Sequence, residues 1–86
     1  MQWTQVREHY PQQWLLVEAL HAHSIDDKRI LDDLAVLGCY TDSIIAMQAY
    51  RQFHHQAPQR ELYVCHTTRK DLDITERRWL GVRGIA

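Results

Sequence analysis

The sequence predicts an α+β fold: a small three-stranded sheet, antiparallel or mixed, in the order 2-1-3. One long helix packs on it, the element order is β-β-α-β, and short helices lie at both ends. Three observations carry this reading. Trp14–Leu20 reads WLLVEAL, with Leu15, Val17 and Ala19 on one parity and Trp14, Leu16 and Leu20 on the other. A near-continuous apolar run of that length is the pattern of a strand covered on both faces. After Thr41-Asp42 the apolar residues Ile45, Ala46, Ala49, Tyr50 and Phe53 recur at helical spacing, which makes one apolar stripe. Leu62–Thr67 then collects strand formers directly behind that helix.

Taken in order, residues 1–11 predict a short helix capped by Thr4, with Val6 and Trp3 or Tyr10 turned inward. Pro11 closes it, because the residue before a proline avoids the α region. The first strand runs from Trp14 to about His23. Ser24–Lys28 is a cluster of turn formers, and RILDDLAVL (29–37) resumes an apolar pattern, so the two runs form a hairpin. Asp32-Asp33 is awkward in mid-strand and predicts a bulge or a sheet edge there. Gly38 breaks the run, Thr41-Asp42 caps the long helix, and Pro58 closes it. Residues 68–72 and 74–80 predict helical turns before Gly81 and Gly84 loosen the tail. A strand–helix–strand crossover returns parallel and right-handed. The third strand then lies antiparallel beside the first, with WLLVEAL in the middle.

At 86 residues the chain predicts one domain, 1–86, whose core leaves a thin stability margin. Ten Lys or Arg against eleven Asp or Glu gives a formal charge of −1, which argues against a general nucleic-acid binder. No apolar run approaches the roughly 20 residues of a membrane span. Met1–Thr4 leads into a polar segment rather than a secretory leader. Cys39 and Cys65 are too few for a disulfide scaffold and do not form a CxxC. They read as free thiols in a reducing cytoplasm.

The candidate chemistry is sparse. His21 and His23 share one strand face roughly 7 Å apart, and the predicted topology runs His54 and His55 toward the same end. Histidines at a helix C-terminus are also favoured by the dipole alone, and no spacing completes a known ligand set. Cys65 and His66 are strand neighbours that point to opposite faces, so they do not form a nucleophile–base pair. Asp26-Asp27 and Asp32-Asp33 read as solvated punctuation. The C-terminal Arg69, Lys70, Arg77, Arg78 and Arg83 surround Trp79, but Asp71, Asp73 and Glu76 dilute their charge. Such a mix fits a protein interface at least as well as a nucleic-acid surface.

The ordered series W-LLVEAL-AHS (Trp14–Ser24), LDDLAVL (31–37), a helix ending in a His pair before Pro58, ELYVCHTTR (61–69) and RRWLGVR (77–83) resembles a group of short bacterial proteins. That resemblance covers about Thr4 to Arg83 and implies a bacterial, cytoplasmic chain. Its relatives are encoded near other small proteins, some of them retropepsin-like, which implies a partner or accessory role. No catalytic residue carries over. Ser24, His66, Thr67, Thr68 and Arg69 recur in the series, as a shared surface site or as turn and cap residues.

The sequence thus predicts a protein-interaction module rather than an enzyme, without cofactor or metal. It self-associates, as a dimer, or binds a small protein partner through a sheet edge or face. The residues expected to carry this are Arg29 and Asp33 on the second strand and Arg69, Arg78 and Trp79 in the tail. Two alternatives stand beside it: a metal-binding protein or small enzyme using His21, His23 and His54 or His55, and a nucleic-acid-associated regulator using the C-terminal Arg/Trp segment.

Overall fold

A computed structural model describes residues 1–75. Helix α1 (Trp3–His9) precedes a long hairpin of β1 (Trp14–Ile25) and β2 (Lys28–Tyr40). Helix α2 (Ser43–Gln56), β3 (Leu62–His66) and the short β4 (Ile74–Thr75) follow. The strands form one sheet in the order β3-β1-β2-β4, and every neighbouring pair is antiparallel. This corrects the three-stranded, order 2-1-3 sheet expected from the sequence. The fourth strand, Ile74–Thr75, opens the stretch 74–80 expected as a helical turn; the rest of that stretch lies outside the described residues. Asp73 takes a left-handed φ of 47° and its carboxylate binds the Lys28 ammonium at 2.5 Å, which lays Ile74 and Thr75 beside Arg29 and Lys28. Ile74 and Thr75 are both β-branched and suit that pairing.

The hairpin is longer than its turn residues imply. Only Asp26 and Asp27 lie outside the strands, both at positive φ (47° and 65°). That is the requirement of a type I′ turn, which aspartate tolerates better than most side chains. Three register shifts interrupt the β1–β2 ladder, leaving Leu37, Leu20 and Asp32 as the extra residues. The bulge at Asp32 is how an acidic pair is carried inside a strand: the ladder gives up pairing at that residue.

Gly38 does not end β2 as expected. It pairs with Leu16, and the Tyr40 ring folds over it, so that a Cβ would meet the Tyr40 hydroxyl and a ring carbon at 2.8 Å. The missing side chain supplies space for the aromatic ring. Helix α1 begins at Trp3 rather than at a Thr4 cap; the Gln5 side chain accepts a hydrogen bond from the Gln2 amide at 2.9 Å. Helix α2 opens on Asp42, whose carboxylate accepts from the Ile45 amide at 2.9 Å.

Both faces of β1 are covered. On one, Leu15, Val17, Leu34, Cys65 and Val6 of α1 form the main core, bordered by Trp3, Tyr10, Leu31, Val36, Tyr63 and Leu72. On the other, α2 packs against β3 and β1 and hides Ala46 with Leu16 and Leu62. No helix among the described residues is long and apolar enough to cross a membrane.

Replacing Gly38 by Ala forces the Tyr40 ring off its site, an overpacking change expected to cost about 1–3 kcal/mol. Urea unfolding would read this as a lower midpoint with an unchanged slope, and Gly38→Ala with Tyr40→Ala should recover part of the loss.

Candidate interaction surface

Two charge pairs bind the strands together, one on each face of the sheet. Arg60 and Glu61 are adjacent, just ahead of β3, and strand alternation sends them to opposite sides. Arg60 forms a bidentate pair with Glu18 at 2.9 and 2.6 Å and lies 5.6 Å from the Phe53 ring centroid of α2. Glu18 is the single charged residue of WLLVEAL, and the Arg60 guanidinium holds its carboxyl below the usual range against the opposing effect of burial. On the α1 side, Glu61 receives both Arg29 Nε and Nη2 at 2.8 Å and the Tyr63 hydroxyl at 2.6 Å. The Arg29 guanidinium lowers the Glu61 pKa, while burial and then the Glu61 hydrogen bond push Tyr63 up.

The residues expected to act at an interface are thereby placed. Arg29 spans the sheet to Glu61 and also donates to the Ser24 hydroxyl at 3.1 Å, so its charge works inside the fold. Asp33 binds the Met1 ammonium at 2.5 Å, which lowers its pKa, and lies 3.8 Å from His21 Nδ1. Arg69 lines a groove of about 740 Å³ with Arg29, Lys28, Lys70, Trp3 and Leu72. The structure therefore brings Arg29 and Arg69 together and leaves Asp33 apart. Arg78 and Trp79, with Arg77 and Arg83 of the nucleic-acid alternative, lie outside the described residues.

The histidines disperse. His21 faces Asp33, His23 Nδ1 lies 2.6 Å from Asp32, and His54 stacks on Tyr50 at 5.6 Å. Among the described residues no group of three or more His, Cys, Asp or Glu is arranged to hold a metal. The polar residues Ser24, His66, Thr67, Thr68 and Arg69 are placed as follows. Thr67 is buried: its hydroxyl accepts from the Gln13 amide at 3.0 Å and its carbonyl from Arg7 Nε at 2.9 Å. His66 Nδ1 and the Thr68 hydroxyl are 2.7 Å apart, and the Arg69 carbonyl accepts from Trp3 Nε1 at 3.0 Å. Ser24 sits beside the hairpin turn, at the opposite end of β1 from the His66 pairing position.

The two edges of the sheet differ. On β2, β4 covers Lys28 and Arg29, and Met1 covers Leu34, whose amide donates to the Met1 carbonyl and whose carbonyl accepts from the Met1 ammonium, both at 2.8 Å. On β3 the pairing pattern sets which groups look outward. The Ala19 amide donates to the Glu61 carbonyl at 2.9 Å and the Thr67 amide to the Gln13 carbonyl at 3.0 Å. With Leu15 opposite Cys65 and Val17 opposite Tyr63, residues 61, 63, 65 and 67 turn their backbone toward β1. Leu62, Val64 and His66 turn theirs away from it. Of these outward groups, only the His66 carbonyl has a backbone partner among the described residues, the Arg69 amide at 3.1 Å. β3 contains no Lys, Arg, Asp, Glu or Pro, and its pairing with β1 runs without a bulge. It thus carries none of the charges, prolines or bulges that blunt a free edge. Sequence reasoning put its interface residues on the second strand (Arg29, Asp33) and in the tail (Arg69, Arg78, Trp79); the signal for this edge in the sequence is the uncharged LYVCH run behind Arg60-Glu61.

No protein-family model, curated protein or solved structure matches this chain.

Two outcomes test this description. Burial pushes the Cys65 thiol up to about 11 while Cys39 is exposed, so a thiol reagent at mildly alkaline pH should modify one cysteine in native protein and two after denaturation. Glu18 and Glu61 both titrate below their ordinary value of 4.5 in the fold. Their pairing therefore stabilises fully above that pH and is lost as the pH falls through the lowered values. The melting temperature should drop on acidification below 4.5, and Arg29→Gln should both lower it at pH 7 and shrink that drop.

Proposed function

We propose that this chain is a protein-interaction module whose docking element is the outer edge of β3, onto which an extended segment of protein adds as a further strand. The observation that carries this reading is the outward N–H and C=O groups of Leu62 and Val64, which have no hydrogen-bond partner among the described residues. Strand addition draws affinity from such main-chain groups and specificity from alternate side chains. The covered β2 edge supports the choice of β3, because Met1 and β4 already occupy part of its backbone. In the same reading the module works as an accessory protein in a reducing cytoplasm, with Cys39 and Cys65 as free thiols.

The test uses a synthetic peptide of residues 61–67 and dilute, reduced protein, followed by amide hydrogen exchange. Excess peptide should slow exchange at Leu62 and Val64 at least tenfold while leaving Tyr63 and Cys65, already bonded to β1, unchanged. No added protection at millimolar peptide, or protection on β2 instead, would overturn the assignment.

A further inference from the structure

We infer that the occupant of the β3 edge is a second copy of the same edge, paired antiparallel about a two-fold axis at Val64. This rests on the reading of β3 as the docking edge and adds the identity and register of its partner. The outward-facing residues Leu62, Val64 and His66 are spaced symmetrically about Val64. A two-fold there sets Val64 against Val64 and Leu62 against His66 of the other copy. Each outward residue then meets another outward residue: the two Val64 residues exchange N–H and C=O, and each His66 amide donates to the Leu62 carbonyl of the other copy, the His66 carbonyl being already held by the Arg69 amide. A two-fold at Tyr63 would match Leu62 with Val64 and set His66 against Arg60, whose amide is already held by the Ala57 carbonyl in the turn before β3. The self-match also avoids like charges, since Leu62–His66 carries no carboxylate, lysine or arginine. An isologous contact of this kind closes on itself and joins two four-stranded sheets into one.

Helix α2 supplies the second observation. Ala46 is its buried position, and Ile45 on one flank lines a cavity with Cys39 and Tyr40 of β2 and residues of the α1–β1 connection. The opposite flank, bearing Met47, Tyr50 and His54, therefore lies on the β3 side, because the strand order runs β2-β1-β3. Met47 is 39% exposed, and the Tyr50 and His54 rings lie parallel at an interplanar angle of 6°. A two-fold beside β3 brings this flank toward its copy. Met and stacked aromatic surface then adds to a strand pair that alone is too small for a stable interface.

Sedimentation velocity from micromolar to millimolar protein should show a reversible monomer–dimer equilibrium. Val64→Pro removes an outward N–H that β1 does not use, and should weaken the dimer at least tenfold. Val64→Thr keeps the N–H and should retain it. In a sample mixing differently isotope-labelled chains, this register requires an interchain nuclear Overhauser contact between the α-protons of Tyr63 and Cys65; a contact between Glu61 and Cys65 would instead mark the Tyr63-centred register and overturn the assignment. This measurement uses the unsubstituted chain, so it stands even if the proline variant does not fold. A monomer at every concentration that still protects Leu62 and Val64 with the peptide would overturn the second copy and keep the docking edge. A folded Val64→Pro variant with undiminished dimerisation would overturn both.

Discussion

Leu15, Leu16 and Val17 have no exposed surface, and three consecutive strand residues can be hidden only if both faces of the sheet are covered. That constraint organises the molecule. It requires α1, with Val6, on one side and α2, with Ala46, on the other. Each fully buried aliphatic side chain contributes about 1.5–3 kcal/mol relative to exposure. In a chain of 86 residues little else is available to offset the entropy of ordering it. The same burial requires neighbours on both edges of β1, which β2 and β3 supply.

Glu18 is the cost of that central position. A carboxylate in a strand flanked by two others needs a cation with matching geometry, and Arg60 provides it in bidentate form. One residue further, Glu61 does the reverse, drawing Arg29 of β2 across the sheet to the start of β3. These two pairs tie β3 to strands distant in sequence, so the short β3 is held at the border of the sheet. With β3 paired to β1 on one side, the outward N–H and C=O groups of Leu62 and Val64 have no hydrogen-bond partner among the described residues. Of the charges expected at an interface, Arg29 is engaged across the sheet and Asp33 at the N-terminus.

The histidine-rich ends of the elements give the same lesson. His21 and His23 share a strand face, but the bulges at Leu20 and Asp32 set Asp33 3.8 Å from His21 Nδ1 and Asp32 2.6 Å from His23 Nδ1. His54 is taken up by Tyr50. A metal site needs convergence from several elements, and His21, His23 and His54 each meet a local neighbour instead.

Local periodicity was enough to find WLLVEAL as a strand covered on both faces, the hairpin around the Asp26-Asp27 turn, the bulge-prone acidic pair and the long helix capped by Asp42. Such features depend on residues within a few positions of one another, and the side-chain repeat of each element records them. The number and order of strands did not follow in the same way. β4 exists because Asp73 reaches Lys28, Gly38 stays inside β2 because Tyr40 fills the space above it, and Arg29 is internal because Glu61 lies across the sheet. Each is a contact that periodicity cannot encode. Which side of β3 pairs with β1 was likewise decided by the tertiary structure, since the hydrogen-bonding side of a strand is defined only when the rest of the sheet is in place.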